Sequence, residues 1–277
     1  MKLTQSQLRS YRENGFVLLP SAFAAAEIKA LKAEVPRVLA VDTPARIVEA
    51  RTRTVRSVYG SHRTHDRFRH LSEDARLVEP AMQVVDGDVY IYQFKINVKA
   101  AFEGDVWEWH QDYIFWREED GMPAPRVTNI ALFLDDVTEF NGPMFFIPGS
   151  HRRGVIEVEA HEGAAAAAGI GGMGGMAPAW ISNLTARLKY SLDRETVAEL
   201  SSRYGLACPK GPAGSVLLFD SNVAHSSPNN ISPFDRMMVI ATYNSVENIP
   251  RPAGTRRPDF LVSDDYEPVR PVQPILY

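Results

Sequence analysis

Disulfide chemistry is the first thing this sequence lacks. One cysteine, Cys208, stands in 277 residues, so no intrachain disulfide can form and a reducing compartment is the natural setting. An excess of one charge is missing as well. Thirty Lys and Arg against 34 Asp and Glu leave a formal net charge of -4, with both signs spread along the chain. Such a balance excludes the basic footprint of a nucleic-acid binder, and no polybasic run is offered to an anionic membrane. No apolar run approaches the length of a membrane span. The opening residues, MKLTQSQLRSYRENG, lack the apolar stretch of a signal peptide. The expectation is a soluble, cytoplasmic protein whose partner is a small molecule, neither nucleic acid nor membrane. Oligomeric state is not legible.

What is present is apolar and aromatic residue in quantity, 45% and 10%, enough for a sizeable core. The first forty or so residues read as helical. Thr4 and Gln7 suit a capping box, Asn14-Gly15 a helix end, and "FVLLP" a short strand. Ile28, Leu31 and Val35 then recur at helical spacing. From about Val55 the texture becomes short apolar segments bounded by turn residues: "VYIYQFKINV", "TNIALFLDDV", "PMFFIPGS", "GSVLLFDSNVAHS" and "RMMVIATYNSV". Many short strands without regular intervening helices predict an antiparallel sandwich or barrel. The glycine- and alanine-rich segment Glu162 to Pro178 reads as a loop, either a surface insertion or a lid, and "DRETVAELSSRYG" as a helix after it. No internal repeat and no domain boundary is visible. One domain over 1–277 is expected, with helical support over about 1–45 and a strand core over about 55–250.

The chemistry concentrates in "WEWHQDYIFW", where His110 and Asp112 flank one residue amid large aromatics. On an extended segment that spacing points both side chains to one side. A third ligand must come from elsewhere, and His225 in "FDSNVAHSSPNN" is the candidate. Two histidines and a carboxylate form the facial set of non-haem Fe(II) oxygenases, which leaves positions open for a co-substrate and dioxygen. Eleven residues beyond His225 lies Arg236, a fork suited to the distal carboxylate of 2-oxoglutarate. Zinc remains a rival for the same donors, although no HExxH motif supplies a general base. Trp107 and Trp116 are expected to wall the site, and Trp109 to face away from it. For a zwitterionic substrate, Arg56, Arg117 and Arg126 are candidate carboxylate partners, and Glu118 or Asp120 candidate ammonium partners. His62 is left without a clear assignment.

The stretches "YQFKINVKAAFEGDVWEWHQDYIFWREEDGMPAPR", "VTEFNGPMFFIPGSHRRG" and "NNISPFDRMMVIATYNSVEN" resemble the phytanoyl-CoA dioxygenase superfamily of Fe(II)/2-oxoglutarate oxygenases. Within it they are similar to the bacterial free-amino-acid hydroxylases, leucine 5-hydroxylase-like, and to the ectoine hydroxylases. The resemblance implies a mainly β fold with flanking helices, a double-stranded β-helix or cupin-like jelly roll. It implies His110, Asp112 and His225 as ligands of Fe(II), with 2-oxoglutarate and O2 as co-substrates. It further implies Arg236, Ser227, Lys99 and Asn97 at the co-substrate, and Gln93, Trp116 and Phe219 at the substrate; Trp107 is also expected at the co-substrate, and Arg56 and Ile114 at the substrate. The presence of Asp112 implies hydroxylation, because related halogenases carry a small residue there. The ectoine branch usually reads D-F-E-T-W-H from that ligand onward, whereas here the chain reads Asp112-Tyr-Ile-Phe-Trp-Arg117. The expected activity is therefore hydroxylation of an unactivated C–H of a leucine-, proline- or pipecolate-like amino acid, in natural-product biosynthesis. An ectoine 5-hydroxylase and a catalytically silent jelly-roll binding protein are the alternatives.

Overall fold

A computed structural model describes residues 1–161, 180–181 and 184–274. The Glu162 to Pro178 segment, with its lid reading, lies outside the described residues.

The chain opens with α1 (Gln5–Asn14), whose capping box forms as the sequence predicts: the Gln7 amide donates to Thr4 Oγ1 and the Thr4 amide to Gln7 Oε1. Gly15 ends the helix at φ 82°. A side chain there would also meet His151 and Val223, so glycine answers both needs. Strand β1 (Phe16–Leu19) follows, then α2 (Ala25–Ala40), which buries Ile28, Leu31 and Val35 as their spacing requires.

Next come β2 (Arg46–Val48), β3 (Val55–Tyr59), α3 (Asp66–Glu73) and α4 (Ala75–Val85). The last two correct the expectation of a region without regular helices. Phe68 and Leu71 on α3, and Leu77, Val78, Ala81 and Val85 on α4, fall at intervals of three and four and are buried. The strands β4 (Val89–Lys99), β5 (Trp107–His110), β6 (Val127–Phe133), β7 (Phe145–Phe146), β8 (Val216–Asp220), β9 (His225–Ser227) and β10 (Arg236–Ser245) complete the β core. Between them lie α5 (Asp112–Asp120) and α6 (Arg194–Tyr204).

Two antiparallel sheets result. One runs β1-β8-β6-β10-β4-β3-β2 and the other β5-β9-β7. The period of two along each strand divides the large sheet into faces with different tasks. Phe94, Ile96 and Val98 of β4, with Val239 and Ala241 of β10, pack against the helices in one large apolar cluster. Met238 and Ile240 of β10, Leu217 and Phe219 of β8, and Phe146 of β7 form a second cluster between the sheets. This is the expected jelly roll with flanking helices. On β4 the alternate residues Gln93, Lys95 and Asn97 face the interior in place of apolar ones, and they line a cavity. The C-terminal segment returns over this region: the Ser263 amide donates to Tyr92 O at 3.0 Å and the Val269 amide to Val89 O at 2.8 Å. Among the described residues no helix is long and apolar enough to cross a membrane.

Candidate metal centre and its cavity

Strand pairing brings the two histidines together. His110 ends β5, His225 opens β9, and the antiparallel register sets them directly opposite each other. Their rings lie 4.2 Å apart. Asp112 arrives differently from the extended-segment expectation. It is the first residue of α5, so the pair converges at a strand–helix junction. Asp112 Oδ1 stands 3.5 Å from His110 Nε2, and Oδ2 stands 3.7 Å from His225 Nε2. The ligand atoms of all three residues lie within 4.8 Å of one another.

Second contacts hold each group in a ligating form. His110 Nδ1 meets Glu108 O at 2.6 Å and His225 Nδ1 meets Val223 O at 3.0 Å. Carbonyl oxygens only accept, so each Nδ1 donates and each Nε2 is the nitrogen turned toward the metal position. Burial, reinforced by the neighbouring His110, pushes His225 down to about 4 and keeps it neutral. Burial alone would raise Asp112, but the two histidines and Lys95 outweigh it and hold the carboxyl well below its usual range. Asn129 Nδ2 donates to Asp112 Oδ2 at 2.8 Å, and Thr242 Oγ1 fixes Asn129 through its Oδ1 at 2.6 Å. Two imidazoles that turn their Nε2 atoms to one point and an anionic carboxylate, each oriented from behind, fit a divalent metal of the non-haem iron type.

The same cavity reaches Arg236, the first residue of β10. Its Nη2 donates to Gly142 O at 2.6 Å and to Ser227 Oγ at 3.2 Å, while Nε is buried without a partner. Asn97 Oδ1 is a second buried atom without a partner. Burial lowers the Arg236 guanidinium to about 9, which still leaves it charged near neutrality.

Of the residues expected here, Gln93, Asn97, Trp107, Trp116, Phe219, Ser227 and Arg236 line the cavity with the three metal-ligand candidates. A bulge separates the two tryptophans of β5: three residues of β5 span the register that two cover on β9. Trp107 therefore joins His110 at the cavity, and Trp109 packs beside Ile147 and Leu192 in another cluster.

Five expectations need correction. Arg56 is not on the cavity wall. It forms an ion pair with Glu49 at 2.9 Å, donates to Val106 O at 2.7 Å, and stacks 3.7 Å from the Trp107 ring. Its charge is spent behind that wall. Ile114 turns into the apolar cluster that includes Tyr92 and Leu261, because α5 is a helix and presents a different face there. Lys99 does not open to the cavity either; backbone carbonyl oxygens surround its ammonium. Arg117 pairs with Glu157 and Glu118, and Arg126 with Glu247, all at the surface. His62 packs on Phe94, off the cavity.

Sequence reasoning missed Lys95 and Arg257, both on the cavity wall. Lys95 was accessible to the period of two, since it lies between Gln93 and Asn97. Arg257 carried no local signal. It comes from the C-terminal segment, where Asp120, the last residue of α5, accepts from its Nε at 2.7 Å and its Nη2 at 2.6 Å. The Tyr92 hydroxyl donates to the same carboxylate. Nη1 of Arg257 has no hydrogen-bond partner among the described residues.

A jelly roll that carries two histidines on its small sheet and one carboxylate at the start of the adjoining helix defines the class of metal-dependent oxygenases built on that triad. The chain belongs to the phytanoyl-CoA dioxygenase family, whose model, Phytanoyl-CoA dioxygenase (PhyH), matches residues 11–238. It is 37% identical over 262 residues to the L-proline trans-4-hydroxylase of Streptomyces griseoviridis, covering 95% of this chain and 93% of that one. It is 35% identical over 272 residues to the ectoine dioxygenase of Nocardia farcinica, covering 95% and 86%. Among solved structures, EctD from S. alaskensis with 2-oxoglutarate and 5-hydroxyectoine superposes with a TM-score of 0.81 at 29% identity, over 98% of this chain and 88% of that one.

Proposed function

We propose that this protein is an Fe(II)- and 2-oxoglutarate-dependent hydroxylase of a small free amino acid, with L-proline or a close analogue as the leading substrate. The observation that carries it is Arg236, a buried guanidinium with a partnerless Nε in the same cavity as His110, Asp112 and His225. A buried cation is costly unless an anion meets it. 2-Oxoglutarate brings a far carboxylate for that fork and a keto acid able to chelate the metal. The 37% identity to an L-proline hydroxylase over nearly the whole chain supports the amino-acid substrate.

Iron, when bound, supplies the activation of O2 that accompanies decarboxylation of 2-oxoglutarate to succinate and CO2 and places a hydroxyl on a C–H carbon of the substrate. The protein's own work is binding, orientation and exclusion of water. His110 and His225 present their Nε2 atoms, and Asn129 keeps Asp112 turned toward them. Arg236, Ser227 and Asn97 form the polar end of the cavity. Trp107, Phe115, Trp116 and Leu188 wall the space beside the histidines, which suits an aliphatic or cyclic body of a few carbons. Arg257 Nη1 and Lys95 offer positive charge to the substrate carboxylate. Gln93 donates to Leu261 O at 2.9 Å and keeps its own carbonyl for the substrate nitrogen. Asp112 is the only carboxylate among the described lining residues, so no second acid is at hand to act as base for a zinc-bound water. That favours iron over zinc.

Ectoine is the second reading, favoured by 35% identity to an ectoine dioxygenase and by the 5-hydroxyectoine-bound fold match. A turnover screen separates the two. The purified protein is given Fe(II), 2-oxoglutarate and air with L-proline, L-leucine, L-pipecolate or ectoine, and products are read by mass spectrometry with succinate. Gain of one oxygen on L-proline is expected. Product on ectoine alone transfers the assignment to ectoine. Iron-bound protein that forms no succinate with any of them overturns the oxygenase reading.

A further inference from the structure

Helix α5 carries an acid at each end. Asp112, its first residue, faces the two histidines, and Asp120, its last, is 2% exposed. The second placement works against the helix, whose C-terminal end favours cations over anions. Burial also strips the carboxylate of water, which is costly in itself. Something other than helix stability must keep an acid there.

The hydrogen bonds of Asp120 show what it holds. Its Oδ1 accepts from Arg257 Nε at 2.7 Å and its Oδ2 from Arg257 Nη2 at 2.6 Å, a bidentate grip that leaves the guanidinium one orientation. The Tyr92 hydroxyl, from β4, donates to Oδ2 and steadies the carboxylate. The segment that bears Arg257 hangs on the same helix end. Gly121, which caps α5 at φ 65°, accepts from the Arg251 amide at 3.0 Å, and a Cβ there would lie 2.2 Å from Arg251 O. Arg257 is 8% exposed and lines the cavity. Among the described residues only its Nη1 remains for another partner. Held this way, Nη1 is a directional donor at a set place. The nine residues of α5, at about 1.5 Å each, form a rigid spacer of about 13 Å between that grip and the metal ligands.

We infer that Asp120 is a positioning residue for the substrate: through Arg257 it fixes how far the substrate carboxylate lies from His110, Asp112 and His225, and so which carbon is oxidised. Asp120 itself touches no substrate atom. The inference rests on the reading of the substrate as a small amino acid whose carboxylate meets Arg257 Nη1. Lys95 on the same wall, a point charge on a flexible stem, adds attraction without register.

The test uses full-length protein loaded with Ni(II), which does not turn over, and with 2-oxoglutarate, titrated calorimetrically with L-proline. Asp120→Asn, equal in size and keeping one oxygen, is compared with Arg257→Met and the parent. The expected result is L-proline binding weakened about tenfold in Asp120→Asn and more in Arg257→Met, with 2-oxoglutarate binding parental in both. In iron-loaded turnover, KM for L-proline should rise while KM for 2-oxoglutarate stays put. Asp120→Asn should also spread its product over more than one ring carbon, which a role in folding alone would not do. Tyr92→Phe, which removes one hydrogen bond to Asp120 and keeps the ion pair, serves if Asp120→Asn does not fold, with smaller changes in the same direction. A single oxidised carbon in these variants, or parental binding in them beside weak binding in Arg257→Met, overturns the inference alone. Parental L-proline binding in Arg257→Met overturns the carboxylate contact beneath it. A parent that binds 2-oxoglutarate but not L-proline overturns the substrate reading, and the inference with it. Loss of 2-oxoglutarate binding together with L-proline binding in Asp120→Asn marks general disorder and also overturns it.

Discussion

Two arginines are buried almost equally and have opposite meanings. Arg56, behind Trp107, is 1% exposed, and both oxygens of Glu49 meet its Nη1, at 2.9 and 3.1 Å. Arg236, at the polar end of the cavity, is 2% exposed and, among the described residues, meets only a carbonyl and a hydroxyl. A buried charge with its counter-charge in place is part of the scaffold, whereas one without it is waiting for an anion. The sequence alone ranks both as candidates for ligand carboxylates. The difference lies in Glu49, seven residues from Arg56, which doubles back from the end of β2.

Breaking the scaffold pair should have the largest effect. Glu49→Gln strands the Arg56 charge and leaves one oxygen where two now serve Arg56 and the Asp105 amide. A loss of about 3–5 kcal/mol is expected, read as a lower denaturation midpoint, with KM for 2-oxoglutarate nearly unchanged in the protein that remains folded. A parental midpoint would mean that the pair carries little of the fold.

Arg236→Gln should invert this pattern. It removes an uncompensated charge, so the melting temperature is expected to hold or rise, while KM for 2-oxoglutarate climbs about a hundredfold for the lost charged contacts. If the variant melts lower and its KM holds, the contrast between the two arginines is wrong.

The smallest effect concerns His62, a half-buried group that meets the same problem by giving up its charge. Burial lowers it to about 4, and its Nδ1 has no partner. The unfolded chain takes a proton near pH 6.5 and the folded chain only near 4, so the unfolded state binds more protons between those values. Stability therefore rises with pH across that window and is lost as pH falls through it. The contribution is at most about 3 kcal/mol. His62→Phe should flatten that part of the stability profile, and a profile as steep as the parent's would assign the acid sensitivity to other groups.

The legibility of the site follows the range of the interactions. The capping box at Thr4 and the strand texture are local and appear in the structure in the expected places, and the His-x-Asp pair converges as expected but across a strand–helix junction. Helices α3 and α4 were hidden because their apolar positions sit among charges in "DRFRHLSEDARLVEP", which dilutes the periodicity. Lys95 was within reach of the alternation on β4. Arg257 was not, because only the return of the C-terminal segment over Tyr92 and Asp120 brings it to the cavity.

By itself the sequence determined the kinds of side chain this protein can bring to a metal and a dicarboxylate, and the strand and helix periods that carry them. Tertiary structure decided which of them meet. The β5–β9 register put His110 opposite His225, the bulge chose Trp107 over Trp109, and the position of Glu49 withdrew Arg56 from the cavity while Arg236 was left open. The physical reason is that patterning acts over a few residues. Ligation and charge pairing depend on distances of about 3 Å between atoms far apart in the chain, and only packing sets those.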